Sequence, residues 1–162
     1  MARIYVASSW RNPYQPAVVA ELRSAGHWVY DFRHPDPANS DDRGFQWEAI
    51  DPAWEAWTPE DFIGALHHPV AKHAYGKDMS AMCQAHCCVL VLPCGKSAHL
   101  EAGWFCGLGR PCYIYLPEPD GPELMYNMAA GLFTSLSAIL AEIATWDGGA
   151  TGQCRDPWRP GC

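Results

Sequence analysis

Glu101, in the stretch PCGKSAHLEAGW, is the residue whose type and setting best suit covalent chemistry. It follows the apolar run CCVLVLP and the segment Gly95-Lys96-Ser97, and it falls in the first turns of a predicted helix, AHLEAGWFCGLG, with Ser97 as its N-cap. Free backbone N–H groups at a helix start favour anions. The helix dipole there keeps a carboxylate ionised. An ionised carboxylate beside a ligand can bind a sugar hydroxyl, or it can attack an electrophilic carbon and form a covalent intermediate. A first-turn Glu is also an ordinary helix stabiliser, and spacing alone leaves these readings open. Gly95-Lys96-Ser97 looks like the end of a phosphate-binding P-loop, but Leu90 stands where that motif needs its upstream glycine, which excludes a P-loop NTPase.

The elements that must position this loop alternate along the chain. Arg3–Ala7 predicts a first strand, followed by the polar loop SSWRNP and an amphipathic helix opened by Pro16. Val18, Val19 and Leu22 share one face of that helix, and Gly26 ends it. HWVYDF predicts a second strand, so the chain begins with a right-handed parallel crossover unit. Residues 33–57 are irregular but rich in aromatics, including Trp47 and Trp57, which predicts an ordered lid or packed flap over the site. Thr58-Pro59-Glu60-Asp61 is a helix start, with an N-cap Thr, a first-position Pro and acids in the first turn. A second helix follows Pro69. CCVLVLP has the composition of a buried central parallel strand. PCYIYLP predicts a fourth strand, GPELMYNMAAG a helix, LFT a short strand and SLSAILAEIATW a last helix.

This order predicts an α/β fold: a flavodoxin-like, doubly wound parallel sheet of about five strands with helices on both faces. Ligands in such folds bind beyond the carboxyl ends of the strands, where the strand order reverses. The loops SSWRNP and PCGKSAHLE face that point, so Ser8, Trp10, Arg11, Gly95, Lys96, Ser97 and Glu101 converge on one crevice before any relative is considered.

Composition sets the bounds. A chain of 162 residues, 49% hydrophobic and 18% charged, is expected to form one globular domain over 1–146 with a loose tail over 147–162. The net charge of -7, with only 11 Lys plus Arg, argues against a nucleic-acid polymer as partner. No apolar run is long enough to span a membrane, and the start MARIYVASSW lacks the layout of a signal peptide. A cytoplasmic protein with no membrane partner is expected. Cys83, Cys87, Cys88, Cys106 and Cys112 fall in helix or strand patterns and are expected as buried free thiols, with no structural metal. Cys154 and Cys162 in the tail are the ones open to oxidation.

The motifs IYVASSWRN, VYDFRHP, SAHLEAGW and PELMYNMA together resemble those of the nucleoside 2-deoxyribosyltransferase family, over roughly residues 3–140. Its superfamily also contains deoxynucleoside-monophosphate N-glycosidases and CMP-type hydrolases. The resemblance implies a flavodoxin-like fold, a homodimer or higher homo-oligomer, and no cofactor. Glu101-Ala102-Gly103 matches the family's E-x-G motif, which makes Glu101 the nucleophile. Asp78 matches the helix Asp that holds the sugar hydroxyls. The implied reaction is retaining: Glu101 attacks the anomeric carbon, the base leaves, and another nucleobase or water opens the glycosyl ester. The small-molecule partners are thus a nucleoside or nucleotide and, for transfer, a free nucleobase.

The pattern departs from the transferases in two places. The stretch CGKSAHL lacks their second carboxylate, and Lys96, Ser97 and Arg11 instead suit a phosphate. PELMYNMA has Glu123 where transferases place an Asn, with Met125 matched to a residue lining the neighbouring subunit's pocket. Asp31 is read as a base contact or as a partner of Arg33, Trp10 as a base-stacking platform or core. His99 is read as a solvated helix histidine in preference to an acid–base group. A nucleotide-binding module without turnover and a TIR-type NAD hydrolase are the competing functions.

Overall fold

The computed structural model describes residues 1–35, 38 and 42–145; the predicted C-terminal tail, with Cys154 and Cys162, lies outside the described residues. The chain divides into two compact units. One takes in Met1–Asp31 and the chain from Met82 onward, and the other is Phe32–Ala81.

The first unit is built on a five-stranded sheet: β1 (Arg3–Ala7), β2 (Trp28–Asp31), β3 (Cys87–Val91), β4 (Cys112–Tyr115) and β5 (Gly131–Phe133). The order is β2-β1-β3-β4-β5, and every pair is parallel. The expected flavodoxin-like sheet is therefore present, with the order reversing between β1 and β3. Val6 pairs with Val89 and Ala7 with Leu90, so the loops leaving these strands start side by side.

Strand alternation sorts the core into two layers. Ile4, Val6, Val29, Cys87, Val89, Val91 and Tyr113 cluster with helix α1 (Gln15–Ser24), through Val18, Val19 and Leu22, and with helix α5 (Leu136–Thr145), through Leu136, Ile139 and Ile143. The alternate positions Tyr5, Cys88, Leu90, Cys112 and Ile114 are equally buried on the other face. Helix α4 (Lys96–Gly107) lies along β3 and β1 and buries Ala98, Ala102 and Phe105. The Tyr5 ring stacks on Tyr30 at 5.4 Å and lies 5.9 Å from Phe105. Gly26 ends α1 with φ of +85°, the conformation that favours glycine in that place.

Arg110, directly ahead of β4, is buried. Its Nη1 donates to the carbonyl oxygens of Met82 (3.1 Å), Cys83 (3.1 Å) and Ala85 (2.8 Å). These carbonyls lie at and just past the end of helix α3 (Pro69–Gln84), where a cation also complements the helix dipole.

In the second unit, residues 45–62 form an aromatic nucleus. Trp47 lies edge-on to Phe45 (4.8 Å), Trp57 (5.6 Å) and Phe62 (5.8 Å). Trp57 Nε1 donates to Asp51 Oδ2 at 2.7 Å, and two short 3-10 helices, Trp47–Ala49 and Trp54–Ala56, bend the chain around the cluster. Within the predicted lid or flap of residues 33–57, the part from Phe45 to Trp57 is thus packed on its own aromatics. Helix α2 (Pro59–Ala65) starts at Thr58 as expected, with a full capping box between Thr58 and Asp61.

Two local expectations are corrected. Ser97 does not cap α4: the helix starts two residues earlier than expected, at Lys96, and Gly95 is its N-cap without a side-chain bond. The stretch around PELMYNMA forms only a 3-10 helix, Leu124–Met128, capped by Glu123, which accepts a hydrogen bond from the Met125 N–H. Its residues Leu124, Met125 and Met128 are exposed, so this unit lacks the packed apolar face that sustains a full α-helix.

Candidate active site

The loops at the reversal point are joined by buried side chains. Ser8, at the end of β1, donates its hydroxyl to the Val91 carbonyl at 3.0 Å. Asn12 Nδ2 donates to the carbonyls of Val91 (3.1 Å) and Pro93 (3.0 Å), while its Oδ1 accepts from the backbone N–H of Tyr14 (2.7 Å) and Gln15 (3.1 Å). One amide thus fixes the β3–α4 loop to the start of α1. The Tyr14 hydroxyl bonds the Glu118 carboxylate, tying in the segment after β4; that bond is the main reason its phenol is held above the ordinary value. Asp31, at the end of β2, is buried and accepts from Gln15 Nε2 at 2.7 Å.

Glu101 is half-buried on α4. Ala98 and Phe105, three before and four after it, are both buried, so the carboxylate stands on the flank of the helix that turns toward the sheet. It is the sixth residue of the helix, not a first-turn residue. The dipole effect fades within the first turn, so it does not supply the ionisation expected from sequence. The first-turn positions go to Lys96 and Ser97, both exposed. A Cβ built on Gly95 meets nothing within 4 Å, so the approach to the leading N–H groups is open.

Cys94 stands beside His99 and feels the charge of Glu101. Burial pushes its thiol up to about 12, with the charges of Asp120 and Glu101 adding to the effect. Its Sγ lies 3.5 Å from His99 Nδ1. His99 is not the freely solvated side chain that sequence suggested. Its Nδ1 is 2.9 Å from the Gly95 carbonyl oxygen, its Nε2 is 2.9 Å from the Tyr126 hydroxyl, and the two rings are stacked at 5.9 Å. Burial raises the Tyr126 phenol above its ordinary value, helped by Cys94, Asp120 and Glu123, so it stays protonated at neutral pH.

Of the residues singled out in sequence, the β1 loop supplies Ser8 (buried), Trp10 and Arg11 (both exposed), and the β3 loop and α4 supply Gly95, Lys96, Ser97 and Glu101. Ser8 is committed to the Val91 carbonyl, which gives it a structural task. Met125 is 60% exposed on the 3-10 helix that carries Tyr126, which leaves it open to contact. Asp78 sits half-buried on α3, in the second unit. Sequence reasoning missed Asn12, Gln15, Tyr14 and Tyr126. An Asn before Pro13 is an ordinary turn signal, and nothing local distinguishes a buried bridging amide from a solvated one. Among the described residues, no group of three or more His, Cys, Asp or Glu side chains is arranged to hold a metal ion. A shallow apolar hollow lined by Ala2, Cys87, Pro111, Tyr113 and Ile143 lies at the amino ends of the strands, away from these groups.

No family model matches the chain, and no curated protein matches it. Solved structures do. A 2-deoxyribosyltransferase from Bacillus psychrosaccharolyticus superposes with a TM-score of 0.56 at 18% identity, over 90% of this chain and 93% of that one. A CMP N-glycosidase from Clostridium botulinum superposes with a TM-score of 0.46 at 12% identity, over 88% and 97%. The first of these likenesses shows a shared fold: the five-stranded parallel α/β architecture described above is that of a 2-deoxyribosyltransferase.

Proposed function

We propose that this protein cleaves the N-glycosidic bond of a (deoxy)nucleoside or nucleotide through a covalent glycosyl ester on Glu101, and transfers the sugar to another nucleobase. The observation that carries this reading is the placement of Glu101: a half-buried carboxylate on the helix that follows β3, beside the point where strand order reverses. The shared fold with a deoxyribosyltransferase and the E-x-G motif support it. In the first step a Glu101 oxygen bonds the anomeric carbon as the C–N bond breaks and its electron pair leaves with the base. In the second, an incoming base nitrogen displaces the carboxylate. Asp78 is assigned to the sugar hydroxyls on the motif resemblance. Trp10 offers a stacking surface for the base, Asp31 a carboxylate at the end of β2, and Arg11 a cation at the loop after β1.

A second reading, hydrolysis of a 5′-monophosphate, is favoured by Lys96 and Ser97 in the open first turn of α4 and by the lack of an acid in CGKSAHL. Here water opens the glycosyl ester and a sugar phosphate is released. We assign the protein a homodimeric or larger assembly; the exposed side chains of Leu100, Leu124, Met125, Met128 and Leu132 support this, and light scattering on the eluted protein tests it.

Incubating the protein with 2′-deoxynucleosides and their monophosphates, with and without a second free base, separates the readings. Base exchange without free sugar marks a transferase, and released sugar phosphate marks a hydrolase. Glu101→Ala is expected to lose more than about 10³-fold in turnover. Nucleotide binding by the wild type with no cleavage that the variant lacks would leave a binding module instead.

A further inference from the structure

Cleaving an N-glycosidic bond leaves an electron pair on the base nitrogen, and a positioned proton there is worth about 10²–10⁴-fold. The stretch before Glu101 contains no acid to supply it. We propose that Tyr126, backed by His99, is the proton donor to the departing base, an inference that rests on the glycosidic reading above.

The argument starts with the His99 ring. Its Nδ1 is 2.9 Å from the Gly95 carbonyl oxygen, which can only accept, so Nδ1 carries a hydrogen. The opposite nitrogen, Nε2, is 2.9 Å from the Tyr126 hydroxyl. With the hydrogen on Nδ1 the neutral ring accepts the Tyr126 O–H at Nε2; once His99 takes up a second proton, Nε2–H donates to Tyr126 Oη and frees the phenolic O–H for the base. When that O–H passes its proton to the base nitrogen, Nε2–H moves onto Oη and His99 becomes neutral. The bonds balance: the C–N pair becomes an N–H bond on the base, the anomeric carbon gains a bond to Glu101, and the relay has lost one proton. The near-parallel stacking of the two rings, 6° apart, holds this line.

Placement fits as well. His99 and Glu101 are both carried by α4, two residues apart, and Tyr126 joins that helix through its bond to His99. Cys94 Sγ is 3.5 Å from His99 Nδ1, and its thiol feels the Glu101 charge. Burial raises the phenol above its ordinary value, helped by Cys94, Asp120 and Glu123 around it, so it is protonated, as a donor must be. Tyr126 is the group that touches substrate, and His99 is a positioning and recharging residue.

The test compares 2′-deoxyguanosine and its 5′-monophosphate with their N7-methylated forms, whose cationic base leaves without taking a proton. Tyr126→Phe is expected to slow cleavage of the unmethylated substrates about 10²–10⁴-fold and the methylated ones by no more than a few-fold. His99→Gln, which can still bond the phenol but cannot carry a proton, is expected to show the same selective loss. An equal loss on both substrate kinds, or none, overturns the relay and leaves the glycosidic reading standing. Wild-type rates in His99→Gln overturn the part given to His99. No cleavage of any of these substrates by the wild type overturns both.

Discussion

Asn12 donates to the Val91 carbonyl at 3.1 Å across the β1–β3 boundary, and its other hydrogen bonds reach Pro93, Tyr14 and Gln15. A 2% exposed amide thus holds together the two loops that frame the candidate site.

Asn12→Ala removes these four bonds and leaves the Pro93 carbonyl and two backbone N–H groups short of a partner. At about 1 kcal/mol per net bond, the expected loss is about 2–4 kcal/mol. Urea unfolding measures it as a lower midpoint at an unchanged slope. Asn12→Asp is expected to cost at least as much, since it sets a carboxylate against two carbonyl oxygens.

Arg110 is the second buried polar anchor. Arg110→Met removes the guanidinium that lies 5.7 Å over the Trp104 ring and its bonds to the carbonyls of Met82, Cys83 and Ala85, of which Met82 keeps the Ala85 N–H. The expected cost is about 2–3 kcal/mol, read by chemical denaturation. Hydrogen exchange at residues 80–85 is expected to quicken more than at β1.

Thr58 and Asp61 test the start of α2. Hydrogen bonds from the Thr58 side chain and backbone hold the Asp61 carboxyl below its ordinary value. A depressed carboxylate stabilises the fold above its unfolded pKa, and the benefit is lost as pH falls through the folded value. In Thr58→Ala the Asp61 titration midpoint, followed by NMR, is expected to move up toward the ordinary carboxylate range. Unchanged titration would mean that the cap does not form in solution.

The thiols give a second pH signature. Burial pushes Cys87 up to about 12, and burial with the Asp120 and Glu101 charges brings Cys94 to about the same value, from an ordinary 9.0. Because the thiolate is the nucleophile, at pH 8 each should alkylate about 10³-fold more slowly than an ordinary thiol. For half-buried Cys94 the rate should rise about tenfold per pH unit until the fold fails; for Cys87 burial adds a steric block. Mass spectrometry after iodoacetamide treatment measures both, and urea should abolish the protection.

Much of the frame was legible in the sequence. The apolar run Cys87–Val91 could only be a central parallel strand, since a strand covered on both faces has no polar alternation. Thr58-Pro59-Glu60-Asp61 specified its helix start through local hydrogen bonds that need no distant partner. The loops that face the reversal point, with Glu101 on the helix after one of them, followed from the alternation of strands and helices. The start of α4 was missed by two residues, because Gly95 caps it without a side-chain bond. The stretch around PELMYNMA shrank to a 3-10 turn, because its apolar side chains find no packing in the chain.

What only the tertiary structure decided was partnership. Asn12 and Val91 are far apart along the chain, as are His99 and Tyr126, and no local pattern marks either pair. Burial turns such polar groups into fixed connections, because a desolvated donor or acceptor must find a partner wherever the fold brings one. The sequence by itself determined the parallel sheet and singled out Glu101 on the helix after its central strand. The folded chain decided which side chains lock the loops around that carboxylate, and which tyrosine stands against His99.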